Sequence, residues 1–122
     1  MLASNGHNAA SGHCVDIVKV DVEGVESSLL RHTPWSRLCI GILLVEVHAE
    51  DIEKREGAAF TIGELARGVR RLEAAGMMLY SSEVVCGQCN GQAELGFVNA
   101  TWLRDRVKAM QVAKLPNRPS LS

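Results

Sequence analysis

The sequence predicts an α/β fold with a mostly parallel sheet and one antiparallel strand added near its end. Three observations carry this. The segments VDIVKVDV, LCIGILLVEVH and MMLYSSEVV are short apolar runs rich in β-branched residues, as buried strands are. Helical patterns separate them, and a strand–helix–strand–helix–strand order calls for parallel pairing through helical crossovers. Finally, Asn90-Gly91 is a turn signal before a fourth run, so the last two strands form a hairpin with a longer loop.

In chain order, residues 1–13 are small, polar and glycine-containing, and read as a loop or disordered start. Val15 to Val22 is the first strand, and Gly24 turns the chain into a short helix from Val25 to Arg31, stopped before Pro34. Leu38 to His48 is the second strand. The charged stretch AEDIEKREGAAF shows no apolar period and reads as a solvated, irregular loop. Thr61 to Gly76 is the strongest helix. Thr61 and Glu64 have capping-box spacing, Ile62, Leu65, Val69 and Leu72 draw one apolar stripe, and Gly76 suits the position after the last turn. Internal Gly63 and Gly68 each lower helix propensity by about 1 kcal/mol relative to Ala, so packing must favour them. Met77 to Val85 and Ala93 to Val98 are the third and fourth strands. Thr101 to Leu115 is a closing helix with Leu103, Val107 and Met110 at core spacing, so one buried and one solvated face are expected.

A chain of 122 residues makes one domain and buries roughly 65–70% of its unfolded surface. Thirteen Lys and Arg against 14 Asp and Glu, a formal charge of -1, give no electrostatic reason to expect nucleic acid as a partner. No segment approaches the ~20 apolar residues of a membrane span, and the first residues do not read as a signal peptide. Of the four cysteines, Cys14 and Cys39 sit in or beside strand patterns, where a free thiol behaves as a small hydrophobe. Cys86 and Cys89 form a CxxC with no second ligand pair for zinc and no helix start to activate a thiol, so they read as loop cysteines.

The polar residues inside the strands are the candidates for chemistry. With a period of two, Asp21 and Glu23 share one side of the first strand, and Glu46 and His48 share one side of the second. Both pairs lie at carboxyl ends, where open α/β sheets bind ligands. If the strands are neighbours, the four groups converge on one crevice. A carboxylate there can orient a hydroxyl or take its proton, and a histidine titrates near neutrality. The same residues equally serve as strand-end groups that cap a helix or solvate a turn. Lys19, inside an apolar strand, is expected to pair with Glu26 or Asp21.

These residues also resemble a known family. Lys19-Val-Asp21-Val-Glu23-Gly24-Val-Glu26 is similar to the K-x-D-x-E-G-x-E segment of FkbM-type and related methyltransferase-like domains, class I S-adenosylmethionine-dependent methyltransferases. Leu43 to His48, LLVEVH, is similar to their following strand, which ends in Glu and His. Ala93 to Asn99, AELGFVN, looks like their closing antiparallel strand, and Gly12-His13 fits the eukaryotic branch. The resemblance spans roughly residues 12 to 100. It implies a partial Rossmann-like sheet and methyl transfer to an oxygen or nitrogen acceptor of unknown identity, with Asp21, Glu23, Glu46 and His48 on the acceptor side.

The first strand here matches the family's fourth, so the expectation is a C-terminal half domain over 14–100, followed by a helix and tail over 101–122. The family's S-adenosylmethionine cradle, a glycine-rich loop after its first strand and an acidic residue ending its second, is absent, and the chain alone is expected to be inactive. Two other readings stay open. One is a non-catalytic remnant or interaction module that self-associates through the open strand edge at Val15 to Val22. The other is a Mg²⁺-dependent phosphoryl-transfer or hydrolytic site in the acidic crevice.

Overall fold

The computed structural model describes residues 13–48, 50, 51, 54, 57–84 and 92–114. The elements run β1 (Val15–Val20), α1 (Glu26–His32), a 3-10 turn (Trp35–Arg37), β2 (Ile40–His48), α2 (Ala58–Ala74), β3 (Met77–Val84), β4 (Gln92–Asn99) and α3 (Ala100–Lys114). The four strands form one sheet in the order β1-β2-β4-β3. β1 pairs with β2 in parallel, with Val18 beside Leu43 and Val20 beside Val45. β4 is antiparallel to both β2 and β3 and lies between them. Three strands therefore run one way and β4 runs the other, so the predicted α/β sheet with one reversed strand is present. Only one of its three ladders is parallel, because β4 occupies the place between β2 and β3 that a parallel contact would need.

Side-chain alternation gives the sheet a dry face and an open one. Leu43, Val45 and Phe97, all 0% exposed, point with Val18, Val20 and Leu95 toward Leu30 of α1 and Leu72 of α2. Leu65 and Val69 complete the expected stripe; the side chains of Thr61 and Ile62 lie outside the described set. Gly68 is where α2 meets α1. A Cβ built there would lie 2.6 Å from the Leu30 Cβ, whereas Gly63 faces open space. Packing thus explains one of the two helix-weakening glycines. Trp35 closes the end of α1, its indole N–H donating to the Leu30 carbonyl at 2.9 Å.

Several expectations are corrected. α2 begins at Ala58, so Thr61 is inside the helix and does not cap it. Glu64 forms no capping box; it is 2% exposed and takes Arg31 at 2.7 Å and Arg67 at 2.6 Å. In the charged stretch before α2, the described Glu50, Asp51 and Lys54 are helical, with Lys54 3.1 Å from Glu50. Its Ala, Glu and Lys content favours helix even without an apolar stripe, and the i,i+4 pair adds to that. Cys14 and Cys39 are joined in a disulfide, which the parallel register makes possible by seating Val15 beside Ile40. Cys86, Cys89 and the Asn90-Gly91 turn lie outside the described residues. Gly76, with φ +89°, follows the last turn of α2 as expected.

The closing helix is the largest departure. No residue of α3 is buried, and Leu103, Val107 and Met110 are 41–58% exposed. Asn99 Oδ1 caps its start by accepting from the Trp102 amide at 3.1 Å. Trp102 lies against Gly41, and Arg106 stacks 5.4 Å from the Trp102 ring while pairing with Asp16 of β1. Among the described residues, Trp102 and Arg106, both bonded to Asp16, hold the helix against the sheet. The apolar stripe expected to pack does not. No described helix is long and apolar enough to cross a membrane.

Candidate functional site

The parallel pairing of β1 and β2 places both carboxyl ends side by side. β1 ends at Val20, two residues before the expected boundary. The chain then turns through Glu23, with φ +48°, and Gly24, with φ +96°. A left-handed Glu is uncommon because its Cβ crowds the backbone, while Gly adopts the same region freely. The turn points the chain back under the sheet and starts α1 at Glu26.

Glu26 is fully buried, and both its carboxylate oxygens are used. Oε1 is 2.7 Å from Nδ1 of His48, and Oε2 accepts the Gly24 amide at 2.9 Å. His48, the last residue of β2, is itself 6% exposed. Its other nitrogen, Nε2, is 3.5 Å from Asp21 Oδ1 and 3.7 Å from Glu46 Oε1. The hydrogen bond that His48 donates to Glu26 raises the pKa of the histidine above its usual value. Burial opposes that, and the charges of Glu26, Asp21 and Glu46 add to it. Ligand atoms of Asp21, Glu26 and His48 all lie within 4.8 Å of one another.

Three of the four candidate residues therefore meet: Asp21, Glu46 and His48. Glu23 does not. It is exposed in the turn, where its left-handed backbone, φ +48°, takes the chain out of strand alternation. Lys19 pairs with neither Glu26 nor Asp21. Its ammonium lies 3.2 Å from Glu94 of β4 and 3.9 Å from Glu46, and the bond to Glu94 raises its pKa. The register explains this, since Glu46 stands directly opposite Glu94. Sequence reading passed over Glu26 as a site residue. Its signal was its place in the first turn of a helix just after a glycine turn, which returns a side chain toward the strand ends.

A separate cavity of about 480 Å³ lies at the amino ends of β1 and β2, lined by Cys14, Asp16, Cys39, Asn99, Trp102 and Arg106 among others. It is at the opposite end of the strands from His48, and its polar groups already pair with each other.

Compared with known protein families, curated proteins and solved structures, the chain matches none.

Proposed function

We propose that this chain is the acceptor-side half of a class I, Rossmann-like methyltransferase. The observation that carries the reading is the meeting of Asp21, Glu46 and His48 at adjacent carboxyl ends of parallel strands, with His48 held by the buried Glu26. The single reversed strand β4, which the FkbM-type resemblance expects, supports it. In this reading Asp21 and Glu46 accept hydrogen bonds from the O–H or N–H to be methylated, and the fixed imidazole orients it.

The described residues do not fit S-adenosylmethionine itself. The turn after β1 carries Asp21, Glu23 and Glu26, and its Gly24 amide is already given to Glu26, so nothing there receives the cofactor's carboxylate. In this reading the described residues are assigned only to the acceptor. The test uses the longest natural product that contains this chain in frame. S-adenosylmethionine binding is measured by calorimetry and methyl transfer by radiolabel, with His48→Gln beside wild type. The expected outcome is unchanged cofactor affinity and lost transfer in the variant. A natural product that binds no S-adenosylmethionine removes the reading.

The edge of the sheet favours a second reading, an interaction module. Among the described residues β1 has a partner strand on one side only, Ile17 is 59% exposed, and Val18, Val20, Leu29 and Leu38 line an apolar groove beside it. An open strand edge is a template for pairing with another chain. This reading expects self-association in sedimentation, and a monodisperse monomer with a cooperative melt counts against it.

A further inference from the structure

We propose that Asp21, Glu46 and Nε2 of His48 form a binding site for a divalent first-row metal ion, with Glu26 as the carboxylate that orients the histidine from behind. The site uses the same three side chains as the acceptor reading above, but the metal proposal does not rest on that reading and requires no S-adenosylmethionine.

The histidine is prepared for a metal. Metal-binding histidines almost always donate their second ring N–H to a carboxylate or carbonyl, which fixes the tautomer and ring orientation. Glu26 does this here at 2.7 Å, so in the neutral ring the lone pair is on Nε2. That nitrogen belongs to a side chain 8% exposed and makes no hydrogen bond of its own. It faces two carboxylate oxygens at 3.5 and 3.7 Å, beyond ordinary hydrogen-bond length. Two donors bound about 2.1 Å from one tetrahedral ion stand about 3.4 Å apart. The two spacings measured from Nε2 are those of ligands around one ion, and Asp21 and His48 both belong to the set whose ligand atoms lie within 4.8 Å of one another.

Charge points the same way. Three carboxylates surround one imidazole, and the nearby ammonium, Lys19, sits closer to Glu94 than to Glu46. Glu26 belongs to the set of ligand atoms within 4.8 Å of one another, but its Oε1 is held by His48 Nδ1 and its Oε2 by the Gly24 amide, so it is assigned the orienting role. Asp21 is 48% exposed and leaves an entry path from solvent. One imidazole with two carboxylates suits ions such as Zn²⁺ or Mn²⁺, whereas Mg²⁺ favours an all-oxygen octahedron.

The test is a Zn²⁺ titration of the chain carrying Cys86→Ser and Cys89→Ser, which removes competing thiols, followed by calorimetry and thermal melting in chelator-treated buffer. One Zn²⁺ per chain and a raised melting temperature are expected, with a much smaller response to Mg²⁺. Asp21→Asn and Glu46→Gln, both at partly exposed positions, should weaken binding about tenfold or more, and Glu26→Gln about tenfold. Glu23→Gln should bind as the parent does. Absence of saturable binding, or binding that Asp21→Asn and Glu46→Gln leave unchanged, overturns the site. Because the readout needs no S-adenosylmethionine, failure of the methyl-transfer reading and failure of this one are seen separately.

Discussion

The two faces of the sheet are made by the same strands, yet they solve opposite problems. On the covered face, Leu43, Val45 and Phe97 pack under α1 and α2 with no exposure. On the open face, Ile17 is 59% exposed, and Lys19 links Glu46 and Glu94 across three strands where water solvates the charges. His48 and Glu26 sit where the faces meet, at the strand ends. A charged group can be kept on the open face at little cost, but at the boundary it must be fixed by partners, as the Glu26 carboxylate is. The lesson is that precise polar geometry in this fold occurs at the edge of the dry core and not on the wetter face.

The sharpest way to break the comparison is to cut each face at one residue. Phe97→Ala should lose about 4 kcal/mol in urea unfolding, and Ile17→Ala less than about 1 kcal/mol. Similar losses would mean the open face is covered in solution. Next comes the Cys14–Cys39 bridge, which closes a loop of 25 residues. Replacing both cysteines with Ser should cost about 3–4 kcal/mol, measured in the same way. Glu26→Ala leaves the His48 and Gly24 donors without their partner and should cost about 2–3 kcal/mol.

A smaller effect comes from pH. The folded state raises the pKa of His48, chiefly through its bond to Glu26, so folding favours the protonated ring. That stabilisation is complete below the unfolded value of about 6.5 and is lost as pH rises through the higher folded value. In chelator-treated buffer, the stability difference between wild type and His48→Gln should shrink across that window. A difference that grows with pH would reverse the assignment. Smallest of all, Lys19→Ala on the open face should leave the urea midpoint unchanged within error.

Much of this was legible in sequence because local chemistry decided it. The β-branched runs place β1 and β2, and the 3-and-4 spacing of Leu65, Val69 and Leu72 places α2 against the core. What was not legible depended on register and on partners far along the chain. Glu23 was assigned to the site by a period-two rule that the left-handed turn at Glu23, φ +48°, interrupts. Lys19 was paired with sequence neighbours, but its partner Glu94 is brought beside it by β4. Cys14 and Cys39 read as separate thiols until the parallel register makes them adjacent. Leu103, Val107 and Met110 have the spacing of a buried stripe, and spacing alone cannot supply the surface that would cover them.

The anchoring of α3 through Trp102 has a spectroscopic consequence. The chain has two tryptophans, and they report on different parts of it. Trp35 is 8% exposed within the core, while Trp102 is half-buried against Gly41 with the Arg106 cation over its ring. Trp102 emission should therefore be the redder and the more open to acrylamide, and in a Trp35→Phe chain it follows α3 alone. A side chain added at Gly41 would meet the Trp102 ring at 2.4 Å. Its Cβ would also lie 2.8 Å from the Asp16 backbone oxygen, so Gly41→Ala would disturb both the seat of α3 and the β1 edge of the sheet, with Trp102 emission shifting to the red as the indole loses its cover.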